Sequence, residues 1–244
     1  MTGGTLYGIG VGPGDPQLIT LKALGLLQQA PVIAYPAPEH GESLTRRIVA
    51  PHLDARGDAF EEIALRMPIE IARFPAQEAY DQAEALLGKR LRKGKDVVVL
   101  CEGDPFLYGS FMYLFARMVR EFRVEVVAGV SSINACAAAL GKPLCARDDR
   151  VSVLPAGLPE ARLLESLHTS ETCVLIKVGR HLGKLREMLR GAGLLENASY
   201  VEYATMNKQR VLPLGKFEGD AAPYFSMILV HRDGDARGLW EKKA

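Results

Sequence analysis

The sequence predicts an α/β protein of two α/β domains, the N-terminal one on a mainly parallel sheet and the C-terminal one on a mixed sheet. Three observations carry that prediction. Before residue 130, β-branched runs alternate with amphipathic runs, which is the pattern of βαβ units. Three of those β-branched runs end in turns of glycine and small residues that feed a helix, the place where parallel α/β sheets bind ligands. Beyond Ser131 the strand runs crowd together, some only a few residues apart, which suits hairpins and a mixed sheet. The domains are therefore placed at 1–130 and 131–244, with the boundary set to within about 15 residues.

In chain order, residues 5–11, 31–35, 96–102 and 124–128 read as strands, being short and rich in Val and Ile. Between them, residues 16–29, 43–52, 76–92 and 108–120 carry apolar positions at three- and four-residue spacing, as in Leu18, Leu21, Leu24 and Leu27, and read as helices. The basic run at 89–95 has Gly94 next to its end, so it reads as the cation-rich last turn of a helix on a solvated face. A small-residue helix follows at 131–140, then strands near 150–154, 172–178, 199–203, 210–214 and 225–231. No helix is assigned among these last strands.

Composition narrows the function. With 48% apolar and 24% charged residues the chain belongs with ordinary globular proteins. A formal net charge of +1 leaves no global positive field for nucleic acid or an anionic membrane, so an anionic ligand must be held locally. The N-terminus runs straight into a strand-like segment and no apolar stretch approaches the length of a membrane span, which predicts a cytoplasmic protein. Cys101, Cys136, Cys145 and Cys173 have neither metal-pair nor disulfide-framework spacing and are expected to be buried thiols. The five histidines show no ligand spacing, so no metal site is expected.

The first glycine-rich turn, Tyr7 to Thr20 (YGIGVGPGDPQLIT), closes a strand and opens a helix. Its glycines admit close main-chain approach to a ligand, Asp15 can cap the helix and Pro16 suits the first helical position. Its third glycine is out of register for a dinucleotide fingerprint, and Gly141-Lys142-Pro143 is not a phosphate loop. The second turn repeats the grammar: Val97 to Glu102 runs into Gly103-Asp104-Pro105 and then Phe106-Leu107-Tyr108-Gly109-Ser110-Phe111. There Asp104 reads as a helix cap whose removal costs about 1 kcal/mol. The third, Val127 to Ile133 (VAGVSSI), opens the small-residue helix with Ser131 placed to cap it.

The ordered set GxGxGxGDPxLIT, GDPFLYG, VAGVSSI and IKVGR closely resembles the tetrapyrrole methylase family over nearly the whole chain, and GDPFLYGSFMYLF with Arg147-Asp148-Asp149-Arg150 resembles its carbon-20 branch. The resemblance implies a tetrapyrrole methylase fold, a homodimer, and S-adenosyl-L-methionine bound in a cleft between the domains and released as S-adenosyl-L-homocysteine. Carried over by motif, the cofactor contacts are Pro13, Glu102, Gly103, Asp104, Leu107, Ser131, Ser132, Val178 and Ala204. The implied reaction is methyl transfer to carbon 20 of precorrin-2 in cobalamin biosynthesis, without a metal. No catalytic base is assigned, Tyr108, Glu102 and water being alternatives. Because the macrocycle is rimmed with carboxylates, Arg46, Arg47, Arg147, Arg150 and Arg180 are candidate substrate contacts with Tyr108. Two alternatives stand beside this reading: methylation of cobalt-factor II at the same carbon, and a non-catalytic tetrapyrrole carrier.

Overall fold

The computed structural model describes residues 3–57, 59–67 and 73–240. The chain divides into two compact units, Met1–Ser131 and Ser132–Ala244.

The first unit is a five-stranded sheet in the order β3-β2-β4-β1-β5, with every pair parallel. Its strands are β1 (Leu6–Gly10), β2 (Val32–Pro38), β3 (Glu61–Met67), β4 (Val97–Cys101) and β5 (Val124–Val127). A parallel sheet covered on both faces needs apolar residues at consecutive positions, which is why β4 reads Val-Val-Val-Leu-Cys without alternation. Val97, Val99 and Cys101 face α4 (Arg73–Leu91) and α5 (Phe111–Met118), through Tyr80, Ala83, Leu87, Phe111, Leu114 and Met118. Val98 and Leu100 face the opposite layer of α1 (Leu21–Gln29), α2 (Leu44–Ile48) and α3 (Ala50–Asp54). Each fully buried Leu or Val contributes roughly 1.5–3 kcal/mol, so this central strand anchors the unit.

Local signals set the element ends, and several differ from the sequence expectation. The expected helix at 16–29 is broken in two. Asp15 caps a short 3-10 turn at Pro16–Leu18, and Thr20 Oγ1 then accepts from Ala23 N to start α1. This rotates the buried face to Ala23 and Leu27 and leaves Leu21 87% exposed, so the expected Leu18-Leu21-Leu24 stripe is not the core face. The expected helix at 43–52 is likewise two short ones, α2 and α3, with Pro51 in the first turn of α3. Strand β3 was absent from the expected elements. At the other end of α4, Gly94 takes φ +76° and the N–H groups of Gly94 and Lys95 close on Leu91 and Arg90 carbonyls. The basic run is spent on structure there: Arg90 pairs with Glu61, and Arg92 with Glu121 at 2.7 Å.

The second unit has the order β6-β7-β10-β8-β9, from β6 (Val151–Pro155), β7 (Thr172–Ile176), β8 (Ala198–Glu202), β9 (Arg210–Pro213) and β10 (Ser226–His231). Only β6 and β7 pair parallel, so the sheet is mixed. Helix α6 (Ser132–Leu140) packs on one face through Ile133, Cys136 and Ala137. The other face is covered by α7 (Glu160–Thr169) and α8 (Leu182–Gly191), two helices the sequence expectation lacked, and α9 (Asp235–Gly238) follows β10. Cys101, Cys136 and Cys173 are buried thiols, whereas Cys145 is exposed, contrary to expectation. Burial pushes the Cys136 thiol up to about 12, which keeps it protonated. Among the described residues, no helix is long and apolar enough to cross a membrane.

Candidate functional site

The three glycine turns of the first unit meet at the carboxyl ends of β1, β4 and β5. Val11 N donates to Cys101 O at 2.9 Å, and beyond it Gly12 and Gly103 form an isolated antiparallel bridge, with Gly103 N to Gly12 O at 2.9 Å. Gly10 and Gly129 close the third side. A Cβ on Gly129 would lie 2.0 Å from Gly103 O and 2.7 Å from Gly10 Cα, and one on Gly10 would lie 2.5 Å from the same oxygen. These glycines are therefore required by main chain packed on main chain. Gly103 itself has φ +61°, a conformation a β-branched residue cannot take without strain.

Asp104 locks the assembly. Its Oδ1 accepts from Phe106 N at 2.9 Å and Leu107 N at 3.1 Å, while Oδ2 accepts from Gly129 N at 3.0 Å. It caps the turn rather than the helix, because α5 begins only at Phe111 and its N-cap Ser110 makes no side-chain cap bond. Phe106, Leu107 and Tyr108 stand exposed beyond Asp104, and Tyr108 is held left-handed at φ +55°. Pro13 and Gly103 are buried. The Glu102 side chain is solvent-accessible, yet the protein around it lifts its carboxyl above the usual range by desolvation.

In the second unit, β7 and β8 both pair antiparallel with β10, so they run in the same direction and their carboxyl ends lie at one edge of the sheet. After β7 come Lys177 at φ +57°, fully buried Val178, Gly179 at φ +34° and exposed Arg180. After β8 come Tyr203 at φ +50°, buried Ala204 and Thr205 at φ +67°. The segment before β10 joins the two turns: Ala222 N donates to Gly179 O at 3.0 Å and Tyr203 N to Phe225 O at 2.8 Å. Among the described residues, five non-glycine residues have positive φ, and four of them (Tyr108, Lys177, Tyr203, Thr205) adjoin expected cofactor contacts. Such conformations cost of order 1–3 kcal/mol each and persist only where the surrounding structure holds them, which is most often at ligand sites and switch regions. Sequence gives no sign of them, since Tyr, Lys and Thr are not turn formers.

The candidate arginines separate by position and partner. Arg46 is forked onto Glu62 at 2.7 and 3.1 Å, and Arg150 onto Glu171 at 3.0 and 3.3 Å. Arg147, the fifth left-handed residue, lies with Arg150 before the amino end of β6, which is parallel to β7. They therefore sit at the edge opposite the 177–180 and 203–205 turns, a five-residue strand or about 16 Å away. Arg47 and Arg180 are exposed and have no ion pair among the described residues. Ser131 is half-buried, and Ser132, the first residue of α6, is exposed. No group of His, Cys, Asp or Glu among the described residues is arranged to hold a metal ion.

Parallel strands ending in close-packed glycine turns, with strained turns at one edge of a second sheet, define an α/β protein whose distinctive turns lie at strand ends, where parallel α/β sheets bind ligands. The sequence family is specific: Tetrapyrrole (Corrin/Porphyrin) Methylases match residues 5–218, and the chain belongs to that family. It is 37% identical over 233 residues to a precorrin-2 C(20)-methyltransferase of Sinorhizobium sp, covering 93% of this chain and 95% of that protein. It is 31% identical over 232 residues to a cobalt-precorrin-2 C(20)-methyltransferase of Salmonella typhimurium, covering 94% and 97%. The chain spans about half (46%) of the length of the mycobacterial cobalamin biosynthesis protein CobIJ, to which it is 38% identical. Among solved structures, uroporphyrin-III C-methyl transferase from Thermus thermophilus complexed with S-adenyl homocysteine matches with a TM-score of 0.66, 27% identity, and coverage of 99% of this chain and 97% of that one.

Proposed function

We propose that this chain transfers a methyl group from S-adenosyl-L-methionine to carbon 20 of precorrin-2, a step of cobalamin biosynthesis. The observation that carries the reading is the near end-to-end similarity to the Sinorhizobium precorrin-2 C(20)-methyltransferase, which spans 93% of this chain and 95% of that protein.

The strand-end turns suit this cofactor. Val178 and Ala204 bury their side chains and leave main-chain groups to meet a ligand, while Leu107, 43% exposed, offers apolar surface to a flat ring. Pro13, Glu102, Gly103, Asp104, Ser131 and Ser132 complete the proposed contacts. Bound there, S-adenosylmethionine supplies a methyl group made electrophilic by its positive sulfur. The protein's share is alignment, which can supply most of the rate when a nucleophilic ring carbon is held in line. Both oxygens of Asp104 already accept main-chain N–H groups, so it is a scaffold. Glu102, whose carboxyl is lifted by desolvation, is the carboxylate after β4 suited to take up the proton that leaves the ring carbon. Arg47 and Arg180 suit the substrate's carboxylates, because both residues are exposed and neither is paired with an acidic residue among the described residues.

Methyl-labelled S-adenosylmethionine tests the reading. Incubated with precorrin-2 under anaerobic conditions, the protein should move the label into the macrocycle and release S-adenosylhomocysteine in equal amount. Binding of the macrocycle with no label transfer is the outcome expected of a carrier and contradicts the proposal.

A further inference from the structure

Glu202 closes β8 one residue before the strained 203–205 turn, and it is a buried carboxylate, 6% exposed. A charge in that position is costly unless it is held from several sides. Tyr200, two residues earlier on the same face, donates its hydroxyl to Glu202 Oε2 at 2.6 Å. Arg210, the cross-strand partner of Glu202 at the start of β9, donates Nη1 to Oε1 at 3.0 Å. Burial and the adjoining Glu202 carboxylate raise the Tyr200 hydroxyl well above its ordinary range, so it remains a donor.

Arg210 is paired differently from Arg46, Arg150 and Arg186, and, unlike Arg123 and Arg190, it gives its one paired nitrogen to a buried carboxylate. Arg46 and Arg150 fork both ends of the guanidinium onto one carboxylate, and Arg186 spends its donors on Phe217 O, Gly219 O and Asp220. Arg210 gives one nitrogen to Glu202, lays its guanidinium 5.7 Å from the Phe217 ring centre, and still has a side chain 57% exposed. Its remaining N–H donors have no partner among the described residues. The group is thus fixed at one end and open at the other, at the sheet edge that carries the Tyr203–Thr205 and Lys177–Arg180 turns.

We propose that Arg210 binds a carboxylate of the substrate and that Glu202, braced by Tyr200, is the positioning residue that aims it. The inference rests on the reading of the chain as a methyltransferase acting on a polycarboxylate macrocycle. Holding the guanidinium in place before binding removes the ordering cost a free surface arginine carries, and the open fork matches a carboxylate in two-point geometry.

Steady-state kinetics with S-adenosylmethionine and precorrin-2 varied separately test it, using the full chain carrying Arg210→Ala, Arg210→Lys or Glu202→Gln. Arg210→Ala should raise the KM for the macrocycle about tenfold or more and leave the dissociation constant of S-adenosylhomocysteine within about twofold. Arg210→Lys keeps the charge beside Glu202, so it reports even if the alanine variant does not fold, and it should raise the same KM roughly threefold. Glu202→Gln should raise the macrocycle KM without changing kcat at saturation. The ratio between variant and wild-type KM should shrink as salt is added, a dependence that a merely structural role does not produce. Unchanged macrocycle KM in both Arg210 variants overturns the proposal, as does an equal loss of affinity for S-adenosylhomocysteine. A wild-type protein that methylates no tetrapyrrole overturns the underlying reading, and this inference falls with it.

Discussion

Asp104→Ala should cost the first unit about 2–3 kcal/mol. One carboxylate accepts three main-chain N–H groups, two within its own turn and one from Gly129 across the sheet. A net 0.5–1.5 kcal/mol per bond, taken toward the lower end because the side chain is half-exposed, gives that sum. It exceeds the cost of about 1 kcal/mol for the single helix cap that the sequence suggested. Asp104→Asn separates the contributions: its oxygen can keep Phe106 N and Leu107 N, but its amide then faces the Gly129 N–H, a loss of about 1 kcal/mol. Thermal unfolding is the assay, and the alanine variant should melt roughly 5–10 °C lower. Calorimetry should show weaker binding of S-adenosylhomocysteine as well, since Leu107 and Gly129 both lose their tether. A melting temperature within about 1 °C of wild type would refute the reasoning, because it would mean that the three bonds carry no net free energy.

Gly129→Ala should be worse, by about 3 kcal/mol or more, since its Cβ would collide with the main chain of Gly103 and Gly10 rather than with a movable side chain; a soluble variant melting as wild type does would contradict the packing. Gly103→Val should damage the fold itself as well as ligand approach, since a β-branched residue is strained at φ +61°; a variant that melts as wild type does would contradict this. Glu171 is held at about 2 by the Arg150 guanidinium and main-chain N–H, below its ordinary 4.5. Its folded value is depressed, so its stabilisation is present above about pH 4.5 and is lost as pH falls through about 2. Glu171→Gln should accordingly flatten the acid limb of a plot of stability against pH, and an unchanged limb would count against the pairing. The family resemblance implies a homodimer, for which light scattering at micromolar concentration should give twice the 26.6 kDa chain mass.

Much of this architecture is legible in the residues, and the failures have physical causes. Strand β4 is readable because burial on both faces demands five apolar residues in a row, and the turn after it because glycine and aspartate have few other uses at a strand end. Strand β3 hides behind Glu61, Glu62 and Arg66, side chains an edge strand tolerates where a central one does not. Helices α7 and α8 had a signal, Leu163 with Leu167 and Leu182 with Leu185 and Leu189 at helical spacing, but the crowded strand runs on either side obscured it. In the site, the glycine turns and Asp104 could be found by motif. The left-handed Lys177, Tyr203 and Thr205 could not, because their strain is imposed by the 222–225 segment and the β8–β9 hairpin. Nor could the candidate arginines be ranked, since only the strand directions show Arg147 and Arg150 at one edge of the second sheet and Arg180 at the other.

The most direct test of the account is the carbon position of the transferred methyl group. With carbon-13 methyl-labelled S-adenosylmethionine and metal-free precorrin-2, anaerobic and in the presence of a chelator, NMR of the product should show one new methyl resonance, on carbon 20. A label on any other carbon, or transfer to the cobalt-bearing macrocycle with precorrin-2 left unreacted, would contradict it.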